Sequence, residues 1–241
     1  MTKDVDATIV VPCLNEEKNI AATLETIRQA LSEFSHRYEI VVIDDGSKDR
    51  TAALVEEYRQ AHPGIEIVLH RNRKNIGLAT SYVNGAFIGR GKYYKLVCGD
   101  NTEPKEALVT VFSHLGDADM IVSYLSAVEG KSAVRMWISR FYTFLINLVS
   151  GHRMRYYNGG ALHLRYNVMR WGPYSFGFGF QAELITRLLD EGASYIEIGI
   201  KARHEQKQGL NDALNWKNFL SVSHTLLELL IRRIRRRAVG H

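Results

Sequence analysis

Four short runs of β-branched and other apolar residues, each followed by a stretch of helical periodicity, restrict this chain more than any other feature of its sequence. Ala7 to Val11 is a continuous apolar run closed by Pro12, Tyr38 to Ile43 reads as a second apolar strand, and Ile65 to Leu69 and Tyr93 to Cys98 repeat the pattern. Runs of this kind suit strands buried on both faces. Between them, Ile20, Leu24, Ile27 and Leu31 recur at helical spacing with Asn15 as the expected cap, and Thr51 to Ala61, Leu78 to Ile88 and Lys105 to Leu115 have the pattern of helices. The alternation predicts an α/β fold in which a mostly parallel central sheet carries helices on both faces. Ligands of such sheets bind outside the carboxyl ends of the strands.

After Asp119 to Tyr124, a further strand, the alternation breaks. Met136 to Val149 reads as a mostly apolar helix, Gly151 to Tyr157 as a basic aromatic connector, Ala161 to Leu164 as a strand, and Gly172 to Phe180 as a glycine and aromatic loop. Gln181 to Leu189 is expected to be helical, Tyr195 to Ile200 extended, and Ala213 to Arg237 a closing helix. No Ser/Gly-rich linker and no internal repeat divides the chain, which predicts one domain over residues 1–212 and a C-terminal amphipathic helix with a basic tail over 213–241.

With 46% hydrophobic and 24% charged residues among 241, the chain is neither disordered nor fibrous. Its net charge of +5 is local, because Arg232, Arg233, Arg235, Arg236 and Arg237 account for the whole surplus. A broad nucleic-acid-binding face is therefore not expected. Two cysteines, Cys13 and Cys98, lie in apolar stretches and predict buried free thiols in a reducing cytosol. The first six residues hold no apolar signal core, and Phe219 to Ile231 is interrupted by Ser221, Ser223, His224 and Glu228, short of the ~20 apolar residues of a membrane span. A cytoplasmic location is the expectation. In the closing helix Leu220, Leu227, Ile231 and Ile234 form one stripe ahead of the arginines. Such a helix lies on an anionic membrane, or packs on its own domain or on a second copy of the chain.

The chemistry-bearing pattern is that acids fall just past strand ends: Asn15 and Glu16, then Asp44 and Asp45, then Asp100. In an open parallel sheet these positions converge on one crevice, where carboxylates suit a metal with phosphate oxygens, or the ring edge and hydroxyls of a nucleoside. Each acid could equally cap the next helix. No Gly-x-Gly-x-x-Gly follows the first strand, which disfavours a dinucleotide-dependent oxidoreductase.

Val11-Pro12-Cys13-Leu14-Asn15-Glu16-Glu17, Val42-Ile43-Asp44-Asp45-Gly46-Ser47-Lys48-Asp49-Arg50-Thr51, and Asn75-Ile76-Gly77-Leu78-Ala79 with Asn84-Gly85 resemble, in order and spacing, the opening motifs of glycosyltransferase family 2. The resemblance implies a Rossmann-like, nucleotide-sugar-binding glycosyltransferase A fold and an inverting transfer from a UDP- or GDP-linked sugar. Carried over, Pro12, Asn15, Glu16 and Gly77 would line the donor, and Asp44 or Asp45 would meet base or ribose. Asp100 would be the second aspartate of an Asp-x-Asp motif holding Mg²⁺ or Mn²⁺ against the diphosphate. Cys98 stands at the first position, where its soft sulfur is a poor ligand for a hard ion. That leaves a single-carboxylate metal site or a metal-independent variant.

The second half resembles the dolichyl-phosphate mannosyltransferase and polyprenyl-phosphate sugar transferase subgroup, through Trp137-Ile138-Ser139-Arg140-Phe141, Gly177-Phe178-Gly179-Phe180-Gln181-Ala182-Glu183-Leu184 and Ile198-Gly199-Ile200-Lys201. It implies a lipid-phosphate acceptor at the cytoplasmic membrane surface, with Gln181, Glu183, Arg203 and Lys207 as catalytic candidates. Glu183 is the best general base if the acceptor is a hydroxyl, while an ionised phosphate acceptor needs none. A soluble transferase acting on a saccharide, and a non-catalytic nucleotide-sugar-binding protein, are the alternatives.

Overall fold

The computed structural model describes residues 4–128, 133–171, 179–202 and 216–239. The alternating runs fold as β1 (Ala7–Cys13), α1 (Ile20–Leu31), β2 (Tyr38–Asp44), α2 (Thr51–Ala61), β3 (Glu66–Arg71), α3 (Leu78–Ile88), β4 (Tyr93–Leu96) and α4 (Lys105–Phe112). The remainder forms β5 (Met120–Val128), α5 (Ala133–Ser150), β6 (Leu162–Leu164), α6 (Arg165–Trp171), α7 (Phe180–Asp190), β7 (Tyr195–Ala202) and α8 (Trp216–Val239). The described strands make one seven-stranded sheet in the order β3-β2-β1-β4-β6-β5-β7. All pairings are parallel except those of β6, which runs antiparallel to β4 and β5.

Alternate residues of the inner strands feed two cores, which is why these runs are apolar throughout. Val10, Val41 and Ile43 pack with Ala79, Tyr82 and Phe180 on one face, while Ile9, Val11, Ile40 and Val42 pack with Ile20, Leu24, Ile27 and Leu108 on the other. Full burial of each such side chain contributes roughly 1.5–3 kcal/mol relative to exposure. The approach of α3 to the sheet needs Gly85, where a Cβ would lie 2.5 Å from Val10 Cγ2 and 2.6 Å from the Tyr94 hydroxyl. The apolar reading of β2 has one exception, the buried Glu39. Its carboxylate accepts from Thr8 Oγ1 at 2.6 Å and from the backbone N–H groups of Arg90 and Gly91, tying the turn before β4 to the amino ends of β1 and β2.

His163, on β6, is also buried. Its Nε2 lies 2.8 Å from the Tyr82 hydroxyl and its Nδ1 3.0 Å from the Leu164 carbonyl, so a neutral ring with hydrogen on Nδ1 satisfies both. Burial pushes its pKa down from 6.5 to about 4. The unfolded chain then takes up a proton that the folded one refuses. The stabilisation is complete above pH 6.5 and is lost as pH falls towards 4, by roughly 3 kcal/mol across the window. Urea unfolding at pH 7 and 4.5 is expected to show this loss, and His163→Phe to flatten it.

The closing helix packs against α5 and α7, with Leu229 in the core and Val222 and Leu226 against it. Three of the arginines read as a tail are occupied here. Arg232 bonds Asp190 at 2.9 Å and Thr186, Arg236 also pairs with Asp190, and Arg233 donates to the carbonyls of Leu148 and Val149 at the end of α5. The last carbonyls of α5 and Asp190 at the end of α7 draw these cations onto the domain.

Candidate functional site

The chain leaves β1 to the β2 side and later returns to β4 on the other side of β1, so the loops after β1 and β4 face each other where the strand order reverses. The loop after β1 is stitched to the loop after β2. Asn15 N donates to Ser47 Oγ at 2.9 Å, Lys48 N to Asn15 Oδ1 at 2.9 Å, Glu16 N to Thr51 Oγ1 at 2.8 Å, and Glu17 N to Asp49 Oδ2 at 3.1 Å. Asn15 therefore does not cap α1: its side-chain oxygen is spent across the loops, its φ is 55°, and α1 starts at Ile20 without a side-chain cap. Ser47, Asp49 and Thr51 are scaffold residues that the sequence argument left without a role.

The paired aspartates at the end of β2 are not equivalent. Asp45 accepts three N–H bonds of 2.9 Å, from Asn72 Nδ2 and Ile76 N on Oδ1 and from Gly77 N on Oδ2, and so holds the 72–77 loop that leads into α3. Asp44 accepts from Ser47 N at 2.9 Å and, at a longer 3.3 Å, from Nε of Arg71, whose side chain is largely exposed. Both carboxylates are buried. Gly46, directly after them, has φ +83°, and a Cβ there would meet the Lys74 carbonyl carbon at 2.8 Å, which accounts for the glycine of this motif.

Gly77 carries φ +91° as it opens α3 and donates to both Asp45 and Asn75. Pro12 is buried at the end of β1, where its carbonyl accepts from Gly99 N at 3.2 Å. That bond draws the loop after β4 against β1, and Gly99 is needed there because a Cβ would lie 2.8 Å from that of Cys13. Thr23 donates to the Gly99 carbonyl at 2.9 Å and Thr26 to Asn101 Oδ1 at 3.0 Å, so α1 fixes the same loop. Beneath it, the fully buried Lys95 pairs with Glu103 at 2.9 and 3.0 Å.

Asp100 is thus brought beside the β1 loop. Its Oδ1 accepts from Thr102 N at 3.2 Å and Thr102 Oγ1 at 2.9 Å, while Oδ2 has no hydrogen bond among the described residues. The thiol of buried Cys13 reports the local field: its pKa is driven far up by burial and then by Asp44, Glu16, Asp49 and Asp45. The acids of the first two loops thus gather around Cys13, and the bonds of Gly99 bring the loop that carries Asp100 against β1 and α1. Cys98 is only partly buried, against the expectation for both cysteines, because it sits on the loop beyond the end of β4.

No cluster of three or more His, Cys, Asp or Glu side chains that could hold a metal occurs among the described residues. An all-protein cage is therefore not what these residues offer. One partly buried carboxylate with an unused oxygen does fit a hard ion such as Mg²⁺, which keeps several waters and binds through one or two carboxylates plus substrate phosphates.

On α7, Glu183 lies in the first turn, is buried, and accepts from Arg187 at 2.9 Å. Gln181 is buried too, with neither amide atom hydrogen-bonded among the described residues. Arg203 and Lys207, with the 172–178 loop, lie outside the described residues.

The family model described as "Glycosyl transferase family 2" matches residues 8–174. The chain is similar to a dolichyl-phosphate beta-glucosyltransferase of Dictyostelium discoideum, 36% identical over 104 residues, which cover 41% of this chain and 32% of that one. A dodecaprenyl-phosphate galacturonate synthase of Rhizobium johnstonii is 23% identical over 170 residues, or 70% and 50% of the two chains. This chain thus spans a third to a half of the length of these relatives. Among solved structures, glucosyl-3-phosphoglycerate synthase from Mycobacterium tuberculosis, in complex with Mn²⁺, UDP and phosphoglyceric acid, superposes with a TM-score of 0.73 at 15% identity, over 94% of this chain and 78% of that one. At that identity the likeness shows a shared fold, the glycosyltransferase A architecture.

Proposed function

The chain belongs to glycosyl transferase family 2, and from that premise we propose that it moves a sugar, with inversion, from a UDP- or GDP-linked donor to a polyprenyl-phosphate-type lipid at a membrane surface. Residues 1–212 are the catalytic unit in this reading and 213–241 an extension that seats it. A phosphate oxygen of the acceptor attacks the anomeric carbon from the face opposite the donor diphosphate. The new C–O bond forms as the bond to the diphosphate breaks, and the nucleoside diphosphate leaves with the electron pair.

Asn15 and Glu16 line the donor crevice, and Asp44, whose ties are fewer than those of Asp45, is its nucleoside contact. A divalent ion held by Asp100 and by the diphosphate would neutralise charge developing on the leaving phosphates. Gln181, a buried amide with no hydrogen-bond partner among the described residues, is suited to sugar hydroxyls. Arg203 and Lys207 are assigned to the acceptor phosphate.

The observation that carries the acceptor class is the setting of Glu183. This candidate base is buried in an ion pair with Arg187, an arrangement that serves an already ionised phosphate nucleophile better than a hydroxyl needing deprotonation. Incubation with radiolabelled UDP- and GDP-sugars and either polyprenyl phosphate or membrane-free saccharides tests the reading. Organic-extractable, mild-acid-labile label is the expected result. Label confined to the aqueous saccharide fraction, or nucleotide-sugar binding without transfer to either acceptor, overturns it.

A further inference from the structure

Two helices that pack on one another leave unusually greasy faces uncovered. On α5, Trp137, Phe141, Phe144 and Leu148 are 67%, 47%, 58% and 60% exposed, at the spacing of one helix face, and the rings of Trp137 and Phe141 stack at 5.4 Å. On α8, Leu227, Leu230 and Ile234 are 55%, 44% and 58% exposed, again on one face. Arg233, bonded to the carbonyls of Leu148 and Val149, joins the end of α5 to the segment of α8 that carries Leu230 and Ile234. Exposed apolar surface on this scale marks a binding face rather than ordinary surface.

The charge around these faces selects the occupant. The sequence of α5 contains no acid and that of α8 only Glu228, against two cations on α5 and six on α8. Arg140 and Arg235 flank the apolar faces and are exposed. Apposing a second copy through this surface would bring two cationic rims together, whereas an anionic lipid surface meets apolar centre and cationic rim alike. No helix among the described residues is long and apolar enough to cross a membrane, so the contact is one of lying on the surface.

We propose that the exposed face of α5, continued by Leu227, Leu230 and Ile234 of α8, is a monotopic docking surface for an anionic bilayer. The apolar stripe leads the contact and the arginine cluster does not, because Arg232 and Arg236 are engaged by Asp190 of α7 and Arg233 by the end of α5, which together hold α8 on the domain. This inference rests on the lipid-acceptor reading for its purpose, but its test is separate.

Sedimentation of the full chain with phosphatidylcholine vesicles containing phosphatidylglycerol, without any prenyl phosphate, measures docking alone. The parent is expected to co-sediment, the combined variant Phe141→Glu/Phe144→Glu to lose at least tenfold in partition with an unchanged melting temperature, and Arg140→Gln/Arg235→Gln to lose severalfold on the anionic vesicles only. Turnover on a short, water-soluble prenyl phosphate is expected to be equal in parent and variants. A parent that stays in the supernatant, a glutamate variant that still sediments, or a parent dimer that the glutamate variant dissociates would overturn the docking face. Absence of turnover on every prenyl phosphate, with vesicle binding intact, would overturn the acceptor assignment and leave the docking face standing.

Discussion

Asp100→Ala is expected to lower kcat/KM by at least about 100-fold, equivalent to roughly 2.7 kcal/mol of transition-state stabilisation, and to abolish any Mn²⁺ dependence of nucleotide binding. The two oxygens of Asp100 have separate duties. Oδ1 is engaged by the backbone and hydroxyl of Thr102, which sets the side chain, and Oδ2 is left without a hydrogen bond among the described residues. Asp100→Asn divides these duties, because the amide oxygen can keep the Thr102 bonds while the amide nitrogen replaces an anionic oxygen by a donor that repels a cation. The asparagine variant is therefore expected to melt at the parent temperature and still lose both turnover and the Mn²⁺ effect in calorimetry with UDP or GDP. Cys98 offers no substitute, since thiol sulfur is a poor ligand for a hard ion. Retention of Mn²⁺-strengthened nucleotide binding in Asp100→Asn would falsify the assignment of this carboxylate.

The position of Asp100 just past a strand's carboxyl end could be read in advance because it depends on the alternation of strand and helix, a pattern that one sequence displays. Continuous β-branched runs and helical spacing gave α2 and α3 at the residues expected, and the convergence of loops on the strands' carboxyl side follows from parallel pairing. The direction of β6 was not legible. A strand of three residues, Leu162–Leu164, carries no periodicity, and α6 follows it with no connecting loop. Nor could the sequence say that Asn15 would be spent on Lys48 N rather than on α1, because both are local uses of the same oxygen and only the neighbouring loop decides between them. The arginine cluster shows the same limit at longer range: its charge was countable, but Asp190, which engages two of its members, lies in another helix. The contact of Arg232 on α8 with Thr186 on α7 is likewise made between helices far apart in sequence, which no local pattern announces.

The adjacent acids of β2 supply a second large effect, on stability, and one that separates residues the motif presents as twins. Asp45→Ala is expected to cost about 4 kcal/mol. It strips a buried acceptor from Asn72, Ile76 and Gly77, each bonded at 2.9 Å, and hydrogen bonds to charged groups contribute about 1.5–3 kcal/mol apiece. Water recovers part of this loss, because Asn72, Ile76 and Gly77 are only partly buried. Asp44→Ala removes one turn bond and a long contact to an exposed arginine, and is expected to cost about 1–2 kcal/mol. The order reverses for ligand binding relative to stability: Asp44→Ala is expected to weaken nucleotide affinity with the fold nearly intact, while Asp45→Ala loses affinity because the 72–77 loop and the start of α3 are released. Urea unfolding at constant m-value, paired with calorimetry on the folded fraction, measures both quantities. Equal stability losses in the two variants would mean that Asp45 does not lock the loop, and the geometry that assigns the nucleoside to Asp44 would lose its basis.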